Sequence, residues 1–382
     1  MPEPQKLTQE EIRLKEDRER KAYWRKWGCY LSNRQWGTVR EDYSADGSAW
    51  DDFTFEQSHY RAYRWGEDGI AGISDNHQRL CFSLAMWNGN DPFLKERLYG
   101  LTNTQGNLGE DVKEYYFHLD NTPTHSYMKF LYKYPQKAFP YWQLEHENKK
   151  RGLKDREFEL IETGIFDEDR YFDVTVEYAK ESDEDILIYI QVTNRASENA
   201  TIHQLPTVRF RNIWSWGYDV AKPQVKIYEQ NEDYSVIEVQ HPDLGKRWLY
   251  CANGRASKHS SLLFTENNTN HQRLSRNQND SLYVKDAFHK YVVENKQDAV
   301  NPNKIGTKFA AYYTLELESG ETTAIQLRLC DKPELETPFG EPFNNTFQIR
   351  KQEADEFYQR VSPHQKSAAL QNEERQAIAG KL

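Results

Sequence analysis

The feature that most constrains this chain is a strict two-residue alternation near its centre. Phe172, Val174, Val176 and Tyr178 alternate with Asp173, Thr175 and Glu177. That is the period of a half-buried strand, because successive side chains point to opposite faces. Ile186, Ile188, Ile190 and Val192 repeat the pattern, with Leu187 and Tyr189 apolar on the other side, so this strand is expected to be covered on both faces. Tyr313, Leu315 and Leu317, then Ile325, Leu327 and Leu329, flank Glu318-Ser319-Gly320-Glu321. This reads as a hairpin closed by a Ser-Gly turn. Further strands are expected at residues 115–119, 127–134, 157–162, 207–211, 234–239, 248–251 and 262–265. Many short strands with few helical stretches between them predict a mainly β chain, a large antiparallel sandwich.

The two ends are expected to be helical. Thr8-Gln9-Glu10-Glu11 has the form of a capping box, and alternating charges follow it. The pattern predicts a solvated amphipathic helix over residues 9–27, with docking to a partner as the other reading. Near the other end, Phe347, Ala354, Phe357 and Val361 align on one helical face until Ser362-Pro363 stops them. A second helix is expected from about residue 365 to Gly380. At 382 residues the chain has length for about two to three domains. The segments read as a charged helix at 1–27, a sandwich at 28–345 and linker helices at 346–382.

Composition narrows the function. The 24 Tyr, 18 Phe and 10 Trp are far too many aromatics for a disordered chain. A net charge of −10 argues against a nucleic-acid partner, and no apolar run is long enough to span a membrane. Cys29, Cys81, Cys251 and Cys330 are scattered without CxxC spacing, as expected of reduced thiols in the cytoplasm.

Several chemistries fail on spacing. His146-Glu147 opens a zinc-protease motif, but Lys150 stands where the second histidine should be. Gly66, Gly69 and Gly72 do not fit a dinucleotide loop. Asp42-Tyr43-Ser44-Ala45-Asp46-Gly47 opens like a calcium loop, yet Phe53 replaces its bidentate glutamate. No metal or cofactor is therefore expected. Residues 40–68 survive, with eight Asp or Glu, three Arg and seven aromatics. Sugar sites use this mixture: rings pack on the C–H face of a pyranose, while carboxylates and guanidinium groups bind its hydroxyls. An aromatic domain interface with solvated charges has the same composition.

The chain also resembles the N-terminal region of glucosidase-like members of glycoside hydrolase family 63. The blocks that carry this begin with Arg34-Gln35-Trp36-Gly37-Thr38-Val39-Arg40-Glu41-Asp42-Tyr43-Ser44 and Arg61-Ala62-Tyr63-Arg64-Trp65-Gly66-Glu67-Asp68-Gly69-Ile70. They continue through Gly109-Glu110-Asp111-Val112-Lys113-Glu114-Tyr115-Tyr116 and Phe210-Arg211-Asn212-Ile213-Trp214-Ser215-Trp216-Gly217, and end with Arg375-Gln376-Ala377-Ile378-Ala379-Gly380.

The resemblance implies a β-supersandwich followed by an (α/α)6 toroid that hydrolyses α-glucosyl or α-mannosyl bonds with inversion. It also implies that both catalytic carboxylates belong to the toroid, beyond residue 382, so that no catalytic residue is expected in this chain. The expected partners are that toroid, whether missing or separately encoded, and an α-linked sugar. Arg40, Glu41, Asp42, Trp65, Glu67 and Asp68 are the candidates for the surface facing the cleft or the catalytic domain. Two rival readings are an assembly subunit and a free-standing mutarotase-like isomerase using His118, His125 and Glu114 as acid and base. An exposed apolar, aromatic patch is expected around residues 347–382 and 20–70 if the toroid is absent.

Overall fold

A computed structural model describes residues 6–29, 53–62, 69–101, 111–152, 154–217, 220–253, 257–362 and 367–382. Two antiparallel sheets dominate the described residues. The first has the strand order β1 (Trp27–Cys29), β2 (Ile70–Asp75), β3 (Leu80–Trp87), β10 (Ala200–Phe210), β16 (Lys308–Leu317) and β14 (Ser257–Thr265). The second runs β15 (Ile305–Gly306), β11 (Gln224–Gln230), β12 (Tyr234–His241), β13 (Gly245–Ala252), β17 (Thr322–Cys330), β9 (Asp185–Asn194), β8 (Tyr171–Ser182), β7 (Tyr127–Pro135) and β6 (Tyr116–Asn121). A small ribbon pairs β4 (Gly100–Leu101) with β5 (Asp111–Val112). One apolar core takes side chains from both sheets, among them Phe82, Phe309 and Leu315 from the first and Val174, Ile188 and Leu327 from the second. The expected mainly β sandwich is therefore present.

The alternating segments form strands, but their pairing departs from expectation in one place. β16 and β17 do not form a hairpin: β16 pairs with β10 and β14, whereas β17 pairs with β9 and β13. The Ser-Gly turn is real, with Gly320 in the left-handed region (φ 71°), but it carries the chain from one sheet to the other. Leu315 and Leu327 thus belong to opposite walls of one core. Alternation shows which face of a strand is buried, not which strand lies beside it. The β9–β10 connection makes the same crossing beside it, and the buried Asn194 ties the two together. Its amide donates to the carbonyls of Glu198, Leu317 and Glu318.

Residues 157–162 are not a strand. Leu160–Thr163 forms a 3-10 turn, with the Glu162 carboxylate accepting from the Glu159 N–H at 2.8 Å and Gly164 (φ 70°) ending it. Strands β2 and β3 carried no expectation; both are buried almost throughout, so β2 lacks a polar face to mark its period.

Seven helices complete the described fold: α1 (Gln9–Arg18), α2 (Phe55–Ser58), α3 (Tyr141–Lys149), α4 (His271–Ser275), α5 (Ala287–Val292), α6 (Glu341–Val361) and α7 (Ala368–Ala379). The capping box on α1 forms as expected, but the helix stops at Arg18 and Arg20 turns left-handed (φ 57°). Nor is α1 simply solvated. Glu10 is buried and accepts from the Thr124 N–H and hydroxyl, both at 2.7 Å, and from the Ser126 hydroxyl at 2.8 Å.

Helix α6 covers the outer face of the nine-stranded sheet, burying Phe343, Phe347 and Ala354 against Tyr127, Ala179 and Leu187. This explains why Leu187 and Tyr189 are apolar. It also buries Glu177, read from sequence as solvent-facing, which accepts from the Tyr127 hydroxyl and pairs with Lys351 at 2.7 Å. The aromatics of 347–382, Phe347, Phe357 and Tyr358, are thus buried, while the aliphatic Ile349, Val361, Leu370 and Leu382 stay exposed. Trp24, Trp27, Phe53 and Tyr60 are buried too, whereas Tyr23 is exposed, so the described aromatics of 20–70 are mostly covered rather than gathered in an exposed patch.

Candidate functional site

Arg40, Glu41, Asp42, Trp65, Glu67 and Asp68 lie outside the described residues, as does the calcium-like loop from Asp42 to Gly47. The residues flanking 63–68 are anchored. The Ala62 N–H donates to the Thr269 hydroxyl at 3.0 Å, and the Gly69 N–H donates to the Glu96 carbonyl. Gly69 has φ 103°, and a Cβ there would stand 1.9 Å from Ser83 Oγ, so glycine is required on two counts.

These anchors stand on a buried polar floor. Lys308 at the start of β16 donates to Glu96 at 2.6 Å and to the Lys285 carbonyl at 3.3 Å. Lys285 in turn donates to the Arg61 carbonyl at 2.9 Å. Asp286 is fully buried and gathers Lys290 at 3.0 Å and the Asn270 amide at 3.1 Å. Arg209 is directly opposite Lys308 in the β10–β16 ladder. Like charges facing each other across strands repel. Here Glu96 offsets Lys308, and the Ser83 hydroxyl accepts from Arg209 at 2.9 Å. The Phe53 ring is fully buried with Arg61 and Arg97 guanidinium groups 5.0 and 5.4 Å from its centre. Such contacts favour cations on an aromatic face. Sequence reading singled out the acidic and aromatic residues of 40–68 but missed Arg97, Arg209, Lys285 and Lys308, which are far apart in sequence and converge only in the fold.

The isomerase candidates do not converge. Glu114 is fully buried and bonded to Lys95 at 2.8 Å, the Tyr99 N–H at 2.9 Å and the Tyr132 hydroxyl at 2.5 Å. Burial raises its pKa, and Lys95 opposes that rise. Asp91 accepts from the Tyr134 and Tyr141 hydroxyls in the same closed network. His118 packs edge-on against Phe130 with its ring centre 4.8 Å away, and burial pushes its pKa down to about 4. His125 bonds Asn121 at 2.9 Å through Nδ1, and burial pushes it down to about 3. Neither histidine is among the hydrogen-bond partners of Glu114.

Two further charged groups sit where the ends of the chain meet the sheet. Lys180 on β8 is fully buried and donates to the carbonyls of Trp24, Trp27 and Thr124. Burial pushes its pKa down to about 7 against the attraction of Glu10. Asp120 on β6 pairs with Arg375 of α7, and its pKa is pushed up to about 6 by burial against that attraction. A 330 Å³ cleft lies beside this pair between β6, β7 and the two last helices. Among the described residues, no three His, Cys, Asp or Glu side chains gather as a metal site. Cys29, Cys81, Cys251 and Cys330 stand outside any disulfide, and no described helix is long and apolar enough to cross a membrane.

No protein-family model matches the chain. It is 40% identical over 411 aligned residues to the uncharacterized protein YMR196W of Saccharomyces cerevisiae (strain ATCC 204508 / S288c). That alignment takes in 98% of this chain but 38% of the yeast protein, so the chain spans well under half the length of this relative. Among solved structures, a putative kojibiose phosphorylase from human microbiome is similar over 55% of this chain and 21% of its own, at 12% identity and a TM-score of 0.24. A putative aldose 1-epimerase from Escherichia coli K12 matches over 72% and 81%, at 7% identity and a TM-score of 0.26. A galactose mutarotase-like protein from Lactobacillus casei ATCC 334 matches over 70% and 95%, at 7% identity and a TM-score of 0.29. At such scores these likenesses carry no argument about function.

Proposed function

We propose that this chain is the non-catalytic sandwich region of a longer cytoplasmic α-glycosidase, where it braces an (α/α)6 domain that carries the chemistry. The observation that carries this reading is the series of sequence blocks from Arg34 to Gly380 that resemble glycoside hydrolase family 63. The alignment to a yeast protein most of which lies outside the match supports a place in a longer polypeptide. Four cysteines outside any disulfide suit a reducing compartment.

In this reading the catalytic domain holds the acid that protonates the leaving oxygen and the base that activates water. The two carboxyl groups stand roughly 6.5–9.5 Å apart to admit that water. Arg40, Glu41, Asp42, Trp65, Glu67 and Asp68 form the surface turned toward that domain or its cleft. The buried Lys308–Glu96 and Lys285–Arg61 contacts hold the backbone on either side of residues 63–68, at Arg61 and at the Glu96 partner of Gly69. The test is the equivalent of Glu67→Gln in the full-length yeast relative. The reading expects weaker α-glycoside turnover or weaker domain docking in a folded protein. Unchanged turnover together with unchanged stability would refute the assignment of this surface.

A further inference from the structure

A cleft of about 580 Å³ opens on a different part of the molecule, where the turn after α1 meets the β2–β3 and β12–β13 turns. Its lining includes Asp17, Tyr23, Arg25, His77, Arg79 and Asp243. Three separate segments shape it, and each is held from behind. In the β2–β3 turn, the buried Asp75 carboxylate accepts the N–H groups of His77, Arg79 and Leu80 at 2.7–3.0 Å. On the opposite wall, Glu184 takes Lys26, the Trp27 indole at 3.0 Å and Arg247 at 2.9 Å. The Tyr23 N–H is fixed on Asp183 at 2.9 Å.

The chemistry of the lining is specific. Arg25 pairs with Asp17 at 2.6 Å, Arg79 with Asp243 at 3.2 Å, and Lys26 with Glu184. Glu184 is shared by Lys26 and Arg247, but Arg79 also stands 3.6 Å from Asp75 and Asp183 lies beside Tyr23, so no unbalanced positive field remains to select phosphate or nucleic acid. What the cleft offers instead is planar hydrogen-bonding edges beside an aromatic ring. The Tyr23 side chain is large, apolar on its faces and 57% exposed. An exposed ring flanked by paired guanidinium and carboxylate groups suits a ligand with apolar C–H faces and neighbouring hydroxyls.

We propose that this cleft is a binding site for a neutral oligosaccharide, packed on Tyr23 and hydrogen-bonded through the Arg25–Asp17 and Arg79–Asp243 pairs. It lies at the end of β2 away from the Gly69 anchor, and it would hold a glycan on the sandwich itself. The site stands on its own geometry; only the choice of an α-linked probe rests on the function proposed above.

The test is calorimetric titration of the full 382-residue chain with maltoheptaose, cellohexaose and inorganic phosphate. Saturable binding of maltoheptaose is expected, weakened at least about tenfold in Tyr23→Ala and likewise in Arg79→Ala, with unfolding temperatures unchanged for Tyr23→Ala. Absence of saccharide binding, binding that neither substitution weakens, or binding of phosphate alone would overturn the site. Binding of cellohexaose in preference, lost in Tyr23→Ala, would support the site and count against the α-linked reading. A longer relative that hydrolyses α-glucosides beside a chain that binds no saccharide would sink the site and leave that reading intact.

Discussion

The side-chain amide of Asn194, at the end of β9, donates to the carbonyl of Leu317, at the end of β16, at 3.2 Å. The two residues belong to different sheets. The same amide also holds Glu198 and Glu318, so one side chain fastens both crossings between the layers. Replacing it by alanine leaves the buried Leu317 carbonyl without this donor, at about 1–3 kcal/mol, and removes the two part-buried bonds to Glu198 and Glu318 as well. Asn194→Ala is expected to lower unfolding free energy by about 3 kcal/mol in urea titration. A loss too small to measure would mean that the crossings do not depend on this residue.

Arg13 and Glu353 make a second long-range tie, 2.5 Å apart with side chains only 2% and 16% exposed. It joins α1 to α6 over the face of β7 and β8. Glu353 keeps Arg350 at 2.8 Å, but Arg13 also stands 3.4 Å from the buried Glu10, and taking the cation from a buried carboxylate costs about 3–5 kcal/mol. Arg13→Ala is therefore expected to shift the urea midpoint strongly. Lys21→Ala, which breaks a pair with Glu19 whose ammonium stands in water, should leave it unchanged. Equal effects of the two substitutions would contradict this account.

His118 supplies a pH dependence with a definite sign. Its folded pKa is near 4 because burial disfavours the imidazolium, whereas an unfolded chain titrates at about 6.5. Between those values the unfolded state holds a proton that the folded state refuses, so stability falls as pH drops from 6.5 toward 4. His203, pushed down to about 4 by burial, acts in the same window. His118→Phe is expected to make the decline shallower. In NMR titration of the native protein the His118 ring should stay neutral down to pH 5; a midpoint near 6.5 would refute its buried environment.

The sandwich was legible because alternating strands such as β8 and β9 expose their period whatever they pair with. What was not legible is everything that depends on partners distant in sequence. The 318–321 turn reads identically as a hairpin or as a crossing between sheets, since both need a left-handed Gly320. Glu177 and Glu10 look solvent-facing in any local window, and only the docking of α6 and α1 buries them. At the candidate site, the acidic and aromatic density of 40–68 was visible as composition. The cationic floor of Arg97, Arg209, Lys285 and Lys308 was not, because it draws on β3, β10 and β16 and the connections between them.

The most direct test of the central claim is hydrolysis of a panel of α-glucosides and α-mannosides by the purified 382-residue chain beside the full-length yeast relative. Turnover by the relative, with none by the chain, is the predicted result and places the chemistry outside the sandwich. Turnover by the chain itself would contradict the account and put an active site within these 382 residues.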